Sequence, residues 1–240
     1  MTSNKKQSIA IIPARIGSKR IPQKNIKLFH GKPLIAYSIE VTLKSGLFDR
    51  VIVSTDSDEI AKIAKSYGAE VPFMRPSELA DDHASSGDAV KFTIEKLQAM
   101  GTNYQYLCTI YPTAPFLQAK YLKEGFHALN NSDAHQAFSV TSMPFPIQRT
   151  FKITSDNRCE MFTPEFFGTR SQDLEEAYQD AGQFYWQRLN RETEHIGFSR
   201  DCIPIVLPRY LVQDIDTPED WIQAELLFYA IQQREKNNGF

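Results

Sequence analysis

The stretch Ile9–Asn25, IAIIPARIGSKRIPQKN, decides how this chain is read. Its first part, Ile9 through Pro13, has the length and β-branched content of a buried strand. A loop follows that carries Arg15, Lys19, Arg20 and Lys24, with Gly17 and Ser18 among them. A backbone that turns sharply after a strand exposes N–H groups, and interleaved cations aim positive charge at the same spot. That combination suits a triphosphate; the plainer alternative is a solvated basic loop. Neither familiar phosphate loop is present: there is no G-x-x-x-x-G-K-[ST], and the single Gly17 cannot make G-x-G-x-x-G.

Length and charge bound the rest. The 240 residues suffice for one large α/β domain, or a domain with an insert, and for a substantial core. Lys and Arg number 27 against 29 Asp and Glu, a net charge of −2, so nothing points to nucleic acid or an acidic membrane surface. No apolar run approaches the roughly 18 residues that span a bilayer. The opening MTSNKKQ leads into the first strand without an apolar signal region. Cys108, Cys159 and Cys202 form neither a disulfide framework nor a C-x-x-C knuckle, and Cys108 reads as a small core residue. The expectation is a soluble cytoplasmic protein.

Downstream, strand and helix signals alternate. A helix opens at Lys32-Pro33 and ends at Gly46; Arg50–Ser54 is a strand, capped by Asp56 or Ser57 into a helix over Glu59–Tyr67. Glu70–Phe73 reads as a short strand, Gly87–Met100 as a helix, Tyr106–Tyr111 as a strand, Ala119–Leu129 as a helix and Gln136–Thr141 as a strand. Such alternation predicts a doubly wound, mostly parallel sheet, with ligands at the carboxyl ends of its strands. The loop after Phe73 is polar, and there Arg75 is a candidate contact to a nucleobase or phosphate, with a structural ion pair as the alternative. His83 reads as a solvated loop histidine rather than a base.

From Ser142 the pattern changes. Prolines 144, 146 and 164, with Phe145, Phe151, Phe162, Phe166 and Phe167, follow neither a helical nor a two-residue period. Roughly forty such residues exceed an ordinary loop, and their aromatic content argues against disorder. Residues 142–182 are therefore read as an inserted arm within a single domain of residues 1–240, packing against a second subunit. The sheet resumes at Gly182–Trp186, and Ile203–Leu207 is a further strand. Near the end, Val212-Gln213-Asp214-Ile215-Asp216-Thr217-Pro218-Glu219-Asp220-Trp221 places Asp214 and Asp216 on one side of an extended chain. Paired carboxylates at a strand end suit Mg²⁺; the alternative is that Asp216 only supports the start of the last helix. Thr217 and Asp220 read as a capping box for that helix, with Pro218 at its first position.

The motifs IIPAR-x-GSKR-IP-x-KNI, GKPLIAYSIE, FDRVIVSTD, RPSELADDHASS, DAGQFYW and VQDIDTPEDW fall in order over nearly the whole chain. Through them the chain resembles the acylneuraminate cytidylyltransferases, which make CMP-activated nonulosonic acids. The resemblance implies a nucleotide-diphosphosugar-transferase fold, a homodimer built through the inserted arm, CTP as donor and Mg²⁺ as cofactor. By motif, Arg15, Lys19 and Lys24 match the triphosphate-binding cations, and Asn25 a nucleotide contact. Arg75 and Ser86 match the cytosine-side loop; Asp214 and Asp216 match the metal pair.

Departures bear on the sugar. Sialic-acid enzymes typically read A-R-G-G-S-K-G, Q-P-T-S-P-L-R and N-G-A-I-Y, where this chain has Ile16 and Arg20 for two glycines, Tyr111-Pro112-Thr113-Ala114-Pro115-Phe116-Leu117, and Ala181-Gly182-Gln183-Phe184-Tyr185. Tyr111, Gln183 and Tyr185 thus become candidate sugar contacts. The resemblance favours pseudaminic acid, with N-acetylneuraminic and legionaminic acids as alternatives. Two other classes remain: a glycosyltransferase, and a nucleotide-binding protein without turnover. No residue identifies itself as a general base.

Overall fold

The computed structural model describes residues 7–79, 85–189 and 197–237. Ten strands and five α-helices are formed there. In chain order they are β1 (Ser8–Pro13), β2 (Leu28–Phe29), β3 (Lys32–Pro33), α1 (Leu34–Ser45), β4 (Arg50–Ser54), α2 (Asp58–Ser66), α3 (Ser86–Ala99) and β5 (Tyr106–Ile110). Then come α4 (Ala119–Asn130), β6 (Gln136–Ser142), β7 (Phe151–Ile153), β8 (Cys159–Met161), β9 (Tyr178–Arg188), β10 (Cys202–Val206) and α5 (Pro218–Asn237). Six strands make the main sheet in the order β10-β6-β9-β5-β1-β4. Pairings β1–β4, β1–β5 and β6–β10 are parallel, and β9 runs antiparallel between β5 and β6. The expected mostly parallel α/β sheet is present, with one reversed strand inside it.

β1 explains why its apolar run is continuous. All six of its residues are buried. Ala10 and Ile12 join the larger core with α1, α4 and α5, while Ile9 and Ile11 face a smaller cluster with Val90 and Leu97 of α3. A strand covered on both faces has no solvent side to alternate with. Among the described residues no helix is long and apolar enough to cross a membrane.

Several local expectations are corrected. Lys32-Pro33 does not open α1: it pairs with Leu28-Phe29 in a tight hairpin through His30 and Gly31, and Pro33 stands at the N-cap. Gly46 does end α1, in the left-handed conformation at φ 68° that a Cβ disfavours. Glu70–Phe73 is not a strand; only Glu70 bridges to Ile52. Ser57, not Asp56, caps α2. The returning strand starts at Tyr178, earlier than Gly182, and between it and β6 the β7–β8 hairpin forms a separate two-stranded sheet.

The β9 strand is irregular where it matters. Its pairing with β6 shifts register between Phe138 and Val140, which partner Tyr185 and Asp180 respectively. Gly182 sits in this bulge at φ 61°, and its N–H donates to Asp180 Oδ1 at 2.8 Å. Below the bulge, Trp186 is fully buried and donates its indole N–H to the Leu122 carbonyl of α4 at 3.0 Å. Gly125, one turn on, lets α4 approach: a Cβ there would stand 3.0 Å from both Phe184 and Trp186. Alanine in a helix interior ordinarily gains about 1 kcal/mol over glycine, but neither fully buried ring can yield, and overpacking costs about 1–3 kcal/mol. Gly125→Ala is therefore expected to lower Tm by about 2–6 °C; calorimetry showing a rise would mean the helix–strand contact is loose.

Candidate active site

The sheet delivers its loops to one edge. Arg15 follows β1, Asp56 follows β4 and Tyr111 follows β5, while the segment after β10 brings Asp214 and Asp216. At that edge lies a cavity of about 310 Å³ lined by Arg15, Lys24, Asn25, Arg75, Ser86, Tyr111, Asp214 and Asp216, with Pro13 and Thr113. Eight of the candidate residues from the sequence thus meet in one place. Lys19 does not line it; this residue is exposed on the loop.

The first loop is fixed by its own polar groups. Asn25 is buried and its side-chain amide donates to the Arg15 carbonyl at 2.9 Å, so it holds the backbone that carries Arg15. The Ile16 N–H donates to Asp56 Oδ1 at 3.3 Å. Gln23 takes the left-handed conformation at φ 51°, turning the chain immediately before Lys24. The Lys24 ammonium donates to the Ile215 carbonyl and to Asp216 Oδ1, the latter at 3.0 Å. Arg20 Nη2 takes the other oxygen, Asp216 Oδ2, at 2.6 Å. Neither the Arg20 contact nor the role of Asp56 was signalled by local sequence.

Ile215 is fully buried, so the residues on either side of it turn outward together, as the alternation requires. The two carboxyls differ. Burial, and then the charge of Asp216, push the Asp214 carboxyl above the usual range, with Lys24 opposing. Burial also acts upward on Asp216, but hydrogen bonds and charge from Lys24 and Arg20 prevail and hold it below that range. Asp216 is not the support of α5. That helix is capped by Thr217 Oγ1 accepting from the Asp220 N–H at 3.2 Å and by Asp220 Oδ2 accepting from the Thr217 N–H at 2.7 Å. A pair of carboxylates is a hard-oxygen donor set of the kind magnesium takes.

Arg75 enters from the side. Its side chain is nearly buried, 3.8 Å from Asp56, and its N–H donates to the Thr55 carbonyl at 2.8 Å. Burial first, and Arg15 as a like charge, draw its pKa below the ordinary arginine value, with Asp56 opposing. Its Nε is buried with no hydrogen-bond partner among the described residues, while the residue itself lines the cavity. Opposite, Ser85 and Asp88 form a reciprocal capping box, so α3 begins at Ser86 rather than Gly87 and points its N-terminus at the cavity. The signature Ser85-x-x-Asp88 was available in the sequence. His83 lies outside the described residues.

A second cavity, about 700 Å³, adjoins the first and shares Ser85, Ser86 and Tyr111 with it. Tyr185, Gln136, Gln187 and Lys91 also line it. The rings of Tyr111 and Tyr185 lie 5.3 Å apart. The Tyr185 hydroxyl donates to Asp180 Oδ2 at 2.6 Å, and burial followed by that bond pushes its pKa far up, so it stays a neutral phenol. Gln183 is a correction. It lines neither cavity, is 3 % exposed, and donates Nε2 to the Leu211 carbonyl at 2.5 Å. The bulge turns its side chain inward, towards the segment that leads to Asp214.

Residues 9–201 match the family model described as Cytidylyltransferase. The chain is 45% identical over 223 residues to the pseudaminic acid cytidylyltransferase of Campylobacter jejuni, covering 92% of this chain and 96% of that one. It is 33% identical to the CMP-N,N'-diacetyllegionaminic acid synthase of Legionella pneumophila, over 94% and 97% of the two chains. Among solved structures, a CMP:2-keto-3-deoxy-manno-octonic acid synthetase complexed with CTP superposes with a TM-score of 0.66 at 15% identity, covering 94% of this chain and 99% of that one. That last likeness concerns the fold.

The cap of α5 can be checked by stability alone. Thr217→Ala removes the cap acceptor and is expected to cost about 1 kcal/mol, a fall in Tm of about 2–4 °C. Thr217→Ser keeps the hydroxyl and should restore most of that loss. Thermal denaturation of Thr217→Ala at the wild-type Tm would mean that Thr217 does not cap the helix.

Proposed function

The chain belongs to the cytidylyltransferase family, and from that premise we propose that it condenses CTP with pseudaminic acid to give the CMP-sugar and pyrophosphate. The observation that carries this reading is the meeting of the basic first loop and the Asp214–Asp216 pair in one cavity, with a roomier cavity opening beside it. The smaller suits the nucleotide and its phosphates. The larger is mostly apolar, with Val90, Ile94, Leu107 and Leu189, and has Tyr111, Tyr185, Gln136 and Gln187 as polar points, which suits an acylated sugar.

The anomeric oxygen of the sugar acid bonds to the α-phosphorus as the bond to the departing pyrophosphate breaks in line, and the hydroxyl proton is released. No enzyme nucleophile is needed, so catalysis is positioning and charge stabilisation. Arg15 and Lys24, with Lys19 at the loop's outer edge, neutralise the phosphate oxygens. Arg75 and the α3 N-terminus at Ser86, which both line the smaller cavity, face the cytosine side. Asn25 keeps Arg15 in place. Tyr111 and Tyr185 bound the sugar side. Asp214 and Asp216 would hold Mg²⁺, which supplies Lewis-acid stabilisation of phosphate oxygens when bound.

The arm is assigned to a second copy of the chain. Phe145, Phe151, Ile153, Phe162 and Phe167 are each more than half exposed, Phe145 at 77%. Apolar side chains clustered on one excursion mark an interaction surface. A homodimer would cover them. Sedimentation of the wild type as a dimer, and of Phe162→Asp/Phe167→Asp as a monomer, is expected; a monomeric wild type overturns the assignment.

The reaction itself is tested by pyrophosphate release with CTP, Mg²⁺ and pseudaminic, legionaminic, N-acetylneuraminic or 3-deoxy-octulosonic acid. Pseudaminic acid should give the highest kcat/KM, and Asp216→Asn should lower it by at least about a hundredfold. Preference for another acid replaces the sugar but keeps the chemistry. Silence on all four with CTP still bound would mean a nucleotide-binding protein without turnover.

A further inference from the structure

Asp216 has two carboxylate oxygens, and the structure commits both. Oδ1 accepts from Lys24 at 3.0 Å and Oδ2 accepts from Arg20 at 2.6 Å. A divalent cation bound through Asp216 would sit on one of those oxygens beside the cation it already holds, and the like charges repel. The two cations are not equally able to leave. Lys24 is 15% exposed and is also held by the Ile215 carbonyl. Arg20 is 63% exposed and reaches Asp216 from the solvent side. Its other donors carry no interaction comparable to the second bond of Lys24 among those described.

We propose that Arg20 is a built-in competitor for the metal: it occupies Asp216 Oδ2 before substrate arrives and yields that oxygen when nucleotide and metal bind together. This rests on the assignment of Asp214 and Asp216 as the metal pair. The exchange is electrostatically balanced. With the cavity empty of phosphate, Arg20 and Lys24 keep the Asp216 charge paired. When triphosphate oxygens enter beside the first loop, the Arg20 guanidinium gains an alternative anion, and the metal takes the released carboxylate oxygen. An exposed ion pair is weak, so the competitor is displaced without blocking the site. It still discriminates, because metal without nucleotide must remove Arg20 with no anion to receive it. Linkage makes the effect reciprocal: whatever Arg20 adds to the metal's dependence on CTP, it adds equally to the dependence of CTP on the metal.

The test reads metal binding rather than turnover. Mn²⁺ is titrated by electron paramagnetic resonance into the wild type, Arg20→Ala, Arg20→Lys and Asp216→Asn. Each is measured alone and with the α,β-methylene analogue of CTP, which cannot be turned over. Arg20→Ala should bind Mn²⁺ about two- to fivefold more tightly in the absence of nucleotide, the range set by an exposed pair, and the strengthening by the analogue should shrink by a similar factor. Arg20→Lys should lie between it and the wild type. If Asp216→Asn loses Mn²⁺ while Arg20→Ala binds it as the wild type does, or more weakly, the competitor role is overturned and the metal pair stands. If Asp216→Asn binds Mn²⁺ like the wild type, or no variant binds it even with the analogue, the metal assignment falls and the competitor with it.

Discussion

Lys24 joins the first loop of the chain to its last one. Its ammonium is mostly buried, and both partners, Ile215 and Asp216, lie more than 190 residues away in sequence. A buried cation left without a partner is costly, so this contact fixes where the segment after β10 must pass. Once it passes there, Asp214 and Asp216 face the same cavity as Arg15 and Arg75. The cavity therefore holds cations and carboxylates side by side before any ligand enters. Asp56 performs the same service on the other wall, close to Arg75 and bonded to the Ile16 N–H. Like charges on both walls are thus held close by carboxylates before any ligand is present.

This arrangement depends in turn on β1. A strand buried on both faces cannot carry its charges within the sheet, so they collect at its carboxyl end. Its parallel neighbours β4 and β5 end at the same edge. Asp56 and Tyr111 arrive there for topological reasons, not through any local signal of their own. The cavity is the place where a parallel sheet leaves its loops.

That logic also decides what could be read from sequence. The apolar run of β1, the fully buried Ile215 between two aspartates, and the Thr217–Asp220 box are local patterns, and the structure contains each. The Arg20–Asp216 pair joins residues 196 apart, so no window contains both. Glu70–Phe73 has strand-like residues, yet only one bridge forms, because strand character depends on a neighbour as well as on composition. Gln183 failed for a subtler reason. Counting from Tyr185 by twos puts both side chains on one face, but the bulge around Gly182 breaks the count and aims the amide at Leu211. Bulges in the middle of a sheet leave little trace beyond a glycine.

The reversed strand β9 separates two tasks that the parallel strands could not separate alone. β1, β4 and β5 lead into the segments that carry Arg15, Asp56 and Tyr111. β9 contributes Tyr185 and Gln187 to the neighbouring cavity, while Gln183, on the same strand, pins the segment leading to the aspartates. A substitution at Tyr185 or Gln187 alters the larger cavity at residues that the smaller one does not share. A substitution at Gln183 acts on the aspartate segment instead. The larger cavity can thus change within this fold while the smaller one keeps its charged groups, provided that the bulge keeps its register. Asp180 is central to that condition, because its two oxygens accept from the Gly182 N–H inside the bulge and from the Tyr185 hydroxyl beyond it. One carboxylate sets both the shape of the bulge and the direction of the Tyr185 ring that lines the larger cavity.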